Sequence, residues 1–306
     1  MSAYPDLLCL GEPLLEFNQQ RDGRYLAGHG GDTSNAAIAA ARQGASVGYL
    51  TRIGRDPFGE SFRELWETEG VDMRGVEAAE DGHTGIYFVT HGPDGHQFSY
   101  FRAGSAASRM TPDFLPREMI GAAKILHMSG ISQAISASAA DTVFAAIALA
   151  KEAGVKVSFD PNLRLKLWPL DRARAVIHAA MAEAHIALPG LDDAVALTGK
   201  EKPDEIADFY LELGAGIVAL TLGAEGCLVA TADGRQRIPG RPVAARDATG
   251  AGDTFDGSFL AEYLRTGDPF RAALYANAAA ALATQGYGAV EPMPRREKVE
   301  TLLDQS

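Results

Sequence analysis

The chain has 306 residues, 46% of them hydrophobic, with 28 Lys+Arg against 40 Asp+Glu, so its formal net charge is −12. That length suits one large α/β unit or two modest domains, and the apolar share builds a core without cross-links. Gly and Pro, 33 and 15 residues, stay below a low-complexity composition, and the acidic balance argues against nucleic-acid or anionic-membrane partners, which need a concentrated positive field.

The first apolar run, residues 6–10, reads as a strand. Residues 14–20 and 25–28 read as a hairpin around Arg21-Asp22-Gly23. A helix over 33–43 and a strand over 47–53 follow. The next helix, 58–69, carries Asp56 as its N-cap and Pro57 at its first position. Residues 85–91 and 97–102 form a second hairpin through Gly92-Pro93-Asp94-Gly95. Beyond it, strands over 125–128, 155–159, 186–188, 217–222 and 228–230 alternate with helices over 138–153, 172–184 and 204–213. Gly154 closes the first of these helices. Helices over 254–265 and 269–285 complete the pattern.

Continuous apolar strands separated by helices imply an α/β fold with a doubly wound, mostly parallel sheet buried on both faces. The hairpins have no intervening helix and do not fit that sheet. They are expected to form a small β-sheet lid, residues of about 13–29 and 84–103, inserted in a single domain spanning 1–306. Alternation of Ile86, Phe88, Phe98 and Tyr100 suggests one apolar lid face, and open lid edges suggest pairing into a homodimer or larger assembly. Cys9 and Cys227 are too few for a zinc site or disulfide framework, which fits a cytoplasmic protein. The start of the chain lacks a basic leader, and Glu12 and Glu16 break its apolar stretch.

The chemistry concentrates in Asp247-Ala-Thr-Gly-Ala-Gly-Asp253, which opens a helix. Small residues there let backbone N–H groups of Gly250, Ala251 and Gly252 approach an anion, and the helix dipole adds favourable potential. Asp253, at the edge of that anion hole, is placed to accept a proton from a substrate hydroxyl. Other phosphate motifs fail. Gly199-Lys200 lacks the upstream glycine of a P-loop, and Gly250-Ala-Gly252 lacks the third glycine of a dinucleotide fingerprint. His91 and His96 flank a turn and read as surface residues, and the charged run 295–298 reads as a solvated helix start.

These residues resemble the signatures of the ribokinase-like (PfkB-type) carbohydrate kinases, and the resemblance covers nearly the whole chain. Gly30-Gly31-Asp32-Thr33-Ser34-Asn35 is similar to the family's N-terminal glycine signature, which implies sugar contacts for Gly31, Asp32 and Asn35. Thr221-Leu-Gly223-Ala-Glu-Gly226, Thr249, Gly252 and Asn277 match positions bordering ATP. The resemblance implies ATP and Mg²⁺ as cofactors. The family's metal-associated Asn-x-x-Glu falls on Gly190-Leu-Asp-Asp193, where only Asp193 remains, suited to holding Mg²⁺ through water.

Gly11-Glu-Pro-Leu14, residues 100–106 and His127-Met-Ser-Gly-Ile-Ser132 most resemble 2-keto-3-deoxygluconate kinases. That implies substrate contacts from Tyr87, Tyr100, Arg102 and Arg164, the two guanidiniums holding a carboxylate through their planar forks. Residues 160–168 and 221–227 look equally like fructokinases, although those place an Asp where this chain has Glu16. Three readings therefore stand: a keto-acid kinase, a ketose kinase, and a silent sugar- or nucleotide-binding protein.

Overall fold

The computed structural model describes residues 3–20, 22–92 and 95–305. In chain order it begins with β1 (Leu7–Leu10), β2 (Leu14–Gln19), β3 (Tyr25–Gly30), α1 (Asp32–Arg42), β4 (Val47–Gly54), α2 (Pro57–Glu69) and β5 (Asp72–Ala79). Next come β6 (Gly85–Gly92), β7 (Gly95–Phe101), α3 (Arg117–Ala122), β8 (Ile125–Ser129), α4 (Gly130–Ala134), α5 (Ala137–Glu152) and β9 (Lys156–Asp160). The remainder is α6 (Leu170–Met181), β10 (Ile186–Ala187), α7 (Leu191–Thr198), α8 (Pro203–Leu213), β11 (Ile217–Thr221), β12 (Gly226–Thr231) and β13 (Gly234–Pro239). Helices α9 (Ala251–Thr266), α10 (Pro269–Ala283) and α11 (Arg296–Asp304) close the chain.

Nine strands form the main sheet in the order β13-β12-β11-β10-β9-β8-β1-β4-β5. From β11 to β5 every neighbour is parallel, and β12 and β13 add antiparallel at one edge. The chain starts in the middle and winds first towards β5, then back past β1 towards β11. The switch point therefore lies between β1 and β8, and ligands of such sheets bind at the carboxyl ends of the strands beside it. Alternate residues serve different cores. Leu8 and Leu10 join the cluster under α3, α5, α6 and α8, whereas Leu7 and Cys9 join the one under α1, α9 and α10. Burial on both faces is why these strands are uninterrupted apolar runs.

Helix starts follow their capping residues. The Asp56 side chain accepts from Gly59 N at 2.8 Å and Pro57 opens α2, as the sequence predicts. Helix α11 begins at the charged 295–298 run, again as expected. Helices α1 and α9 touch closely, because a Cβ on Gly257 would stand 2.1 Å from the Ala36 carbonyl oxygen. Trp66 of α2 donates from Nε1 to Ser34 Oγ at 3.0 Å and holds α1 from behind.

The two hairpins merge into one four-stranded lid, ordered β3-β2-β6-β7, with β2 and β6 parallel at its centre. Of the expected hairpin turns, Arg21, Pro93 and Asp94 lie outside the described residues. One expectation fails. Tyr87 pairs with Tyr100 and Val89 with Phe98, so these share a face, while Ile86 and Phe88 share the opposite face with Phe101. Directly opposed residues of an antiparallel pair point the same way, so the four named residues divide between two apolar faces.

Candidate active site

The structure brings Asp253, Asn35, Asp32 and Arg164 together, with the lid residue Tyr87 near them. Gly250, in a left-handed conformation, caps α9 and places Asp253 in its first turn. The close α1–α9 crossing brings Asn35 to it, and Asn35 Nδ2 donates to Asp253 Oδ2 at 2.7 Å. Burial, with the negative charge of Asp32, pushes the Asp253 carboxyl up to about 7, and the Asn35 bond and Arg164 pull in the opposite direction. Of the three amides expected in the anion hole, one is engaged within the loop. Ala251 N already donates to Ala248 O at 3.1 Å. Gly252, whose Cα faces open space, and Asp253 carry first-turn N–H groups of the kind a helix leaves without intrahelical partners.

Asp32, in the first turn of α1, accepts from its neighbour Thr33 N and from Asn162 Nδ2, both at 2.8 Å. Gly31 caps that helix at φ +99, where a side chain would stand 2.4 Å from the Glu12 carbonyl oxygen, so this position requires glycine. Asn162 adopts φ +30 and donates its N–H to Asp160 Oδ1 at 3.0 Å. Asp160 and Asp256 face each other below Asp253. Burial pushes both carboxyls well up, and neighbouring negative charges push them further in the same direction. Arg164 is half exposed, with Asp193 Oδ2 at 3.9 Å.

The lid presents Glu16, Tyr87 and Tyr100 to the cleft. Tyr87 OH donates to Glu16 Oε2 at 2.5 Å, and Asn18 Nδ2 donates to Glu16 Oε1 at 3.2 Å. The Tyr87 and Tyr100 rings stack with centroids 5.6 Å apart, and the Arg102 guanidinium lies 6.0 Å from the Tyr100 centroid. Arg102 is not the free cation that its sequence position suggests. Its Nη2 is paired with the buried Glu12 Oε2. Lys166 reaches from the core to within 5.8 Å of the Phe98 ring.

Thr221 ends β11 beside Gly190, which precedes α7 and Asp193. Gly223 and Gly226 shape the turn into β12. Asn277 spends its amide on Pro239 O at 2.8 Å, tying α10 to β13. Asp247 braces the loop before α9, accepting from Thr249 N and Oγ1 at 2.9 and 2.7 Å and from Gly288 N at 2.9 Å.

A profile described as pfkB family carbohydrate kinase matches residues 8–296. The chain belongs to the pfkB family of carbohydrate kinases. It is an ATP-dependent phosphotransferase of ribokinase-like fold. A relative named 2-dehydro-3-deoxygluconokinase, from Thermoproteus tenax, is 36% identical over 98% of this chain and 95% of its own. A probable fructokinase-5 of Arabidopsis thaliana is 31% identical over 99% and 98%. An Escherichia coli structure described as a ribokinase II in complex with ATP and Mg²⁺ superposes with a TM-score of 0.90 at 26% identity, over 99% of this chain and all of that one.

For this pfkB kinase the donor set suits a metal that arrives with the nucleotide. Among the described residues no group of three or more His, Cys, Asp or Glu side chains surrounds a metal position. Asp193, the expected metal-associated residue, accepts from Leu163 N at 2.9 Å and faces Arg164. Such an arrangement suits Mg²⁺ held by phosphates and water, near a single carboxylate. Sequence reasoning overlooked Asp160 with Asp256, the role of Glu12, and Gln133. The Gln133 amide O and N are buried at the carboxyl end of β8 with no partner among the described residues. Its signal in the sequence is a lone amide beside an otherwise small and apolar helix start.

Proposed function

We propose that the chain transfers the γ-phosphoryl group of ATP to the terminal hydroxyl of 2-keto-3-deoxygluconate, forming its 6-phosphate. Asp253 accepts the hydroxyl proton as the new O–P bond forms and ADP departs. A carboxylate of pKa about 7 is well matched to that proton, since an effective general base sits near the working pH. The α9 amides and dipole stabilise charge on the transferring group, for which positioning and electrostatics supply most of the catalysis. Mg²⁺ bound with ATP would offset the charge of the phosphates, and Asp193 is the residue that would hold it, through water. Thr221, Gly223, Gly226, Thr249 and the Asn277 helix border the nucleotide. Gly31, Asp32, Asn35, Tyr87 and Tyr100 border the sugar acid.

The observation that carries the keto-acid reading is Arg102. Its side chain is nine-tenths buried at the cleft face of the lid, and its Nε has no partner among the described residues. A buried donor of this kind suits an anionic oxygen. Arg164, half exposed, supplies the second cation. Glu16, the position at which a ketose kinase would grip hydroxyls, is already engaged by Tyr87 and Asn18. The fructokinase-like Asp160–Arg164 segment and the 31% identical fructokinase relative keep ketose phosphorylation as the second reading. ATP consumption over 2-keto-3-deoxygluconate, its galactonate epimer, fructose and ribose decides between them. Preference for fructose overturns the proposal. Arg164→Ala should lower kcat/KM on the keto acid by roughly 30-fold or more, the effect of losing ~2 kcal/mol of charge pairing, and should lower fructose turnover far less.

A further inference from the structure

Glu12 belongs to the Gly11-Glu-Pro-Leu14 segment and has no role in the transfer just described. It sits where the chain leaves β1 for the lid, and its side chain is wholly buried. Both carboxylate oxygens are used. Oε2 accepts from Arg102 Nη2, and Oε1 accepts from Ser105 Oγ at 2.5 Å. Arg102 and Ser105 lie where the chain returns from the lid, 90 and 93 positions further on. Ser105 is held in turn, since its hydroxyl accepts from Ser108 N at 3.2 Å.

A buried ion pair adds little net stability, because desolvation of both charges offsets their attraction. What this pair does provide is direction. A guanidinium is a rigid planar fork, so fixing Nη2 fixes the angle at which Nε–H points. Arg102 continues the Tyr87–Tyr100 row on one lid face, its guanidinium 6.0 Å from the Tyr100 ring, and its Nε is buried with no partner among the described residues.

We propose that Glu12 is a positioning residue that orients Arg102 towards the substrate's anionic group, a role that rests on the keto-acid reading above. Glu12 touches no reacting atom, so its effect passes through Arg102 and appears in substrate affinity. Glu12→Gln keeps the volume but must turn an NH₂ group towards one of two donors. Glu12→Asp keeps the buried charge, protecting the fold, on an arm too short to reach both partners.

The test measures kcat and KM for 2-keto-3-deoxygluconate in wild type, Glu12→Gln, Glu12→Asp, Arg102→Ala, and each Glu12 variant combined with Arg102→Ala. Each Glu12 variant is expected to raise KM about tenfold with kcat within about threefold of wild type; tenfold corresponds to about 1.4 kcal/mol. On the Arg102→Ala background the same changes should alter KM by less than about twofold. Unchanged KM in both variants, an equal effect on both backgrounds, or a fall in kcat at constant KM overturns the assignment. Additivity on the keto acid would defeat this role alone, leaving the substrate reading intact. A wild type that phosphorylates fructose and not the keto acid would defeat both.

Discussion

Asp253→Asn separates what the carboxylate does for the reaction from what it costs the fold. Its pKa moves from the ordinary 3.8 to about 7, chiefly through burial. At 1.36 kcal/mol per pH unit, that is roughly 4 kcal/mol against the charged form, and residual solvent access screens it to ~2 kcal/mol. The sign follows from proton binding. Between pH 4 and 7 the unfolded chain has released this proton while the folded chain retains it, so the wild type loses stability as pH rises through that window. An amide carries no such penalty and can still accept from Asn35. The variant should therefore melt higher than wild type at pH 8, by roughly 2–5 °C, with a smaller gain at pH 5. Its kcat should fall ~10²–10⁴-fold. Thermal melts at both pH values, paired with a coupled ADP-release assay, check both halves. In the same assay, wild-type kcat/KM should climb with pH and level off above about 7. Retained kcat would refute the base assignment, and a variant no more stable at pH 8 would refute the burial argument.

Four further outcomes are expected. Asn35→Ala removes the bond that lowers the Asp253 pKa, so the rising limb of the pH–rate profile should move to higher pH; an unmoved limb rejects the coupling. Gly257→Ala drives a methyl into the Ala36 carbonyl and should cost at least ~1–3 kcal/mol, with a drop in kcat/KM as Asn35 shifts from Asp253; equal Tm and activity would show that the helices yield. ATP with Mg²⁺ at ~100 times Kd should add about 2.7 kcal/mol of stability, read as a thermal shift, and no shift at millimolar nucleotide counts against the nucleotide site. The outer lid face exposes Tyr25 and Phe101, so light scattering should show at least a dimer at micromolar concentration and Phe101→Asp should weaken it; a monomeric wild type rejects lid pairing.

The inner strands were legible because burial on both faces leaves a continuous apolar signature, and α2 was legible from Asp56 and Pro57. Strands β5 and β13 were not. They lie at the sheet edges, with exposed Arg74 and residues 234–237, so half of each pattern is polar. Asp253 stood out because a helix start, its glycines and the carboxylate are contiguous. Glu12 with Arg102, and Asp160 with Asp256, meet only through the tertiary fold, across 90 residues or more, and no local pattern announces them. The lid was found as strands but misjudged in register, because the face a residue occupies depends on which partner it opposes.

The lid meets the core at four short crossings, residues 11–13, 31, 80–84 and 102–106. Three of these crossings are tied to one another or to the core. Ala106 N donates to His83 O at 2.8 Å, Thr84 N donates to Asp56 Oδ2 at 2.8 Å, and Glu12 joins the first crossing to the last. A flap on one hinge explores many orientations and must lose that freedom each time it captures a ligand. Four tethers permit little more than rocking about a line through them, so the search is confined before any ligand arrives. For this enzyme, the speed of capture should depend more on how often the lid rocks open than on how long it takes to find its way shut.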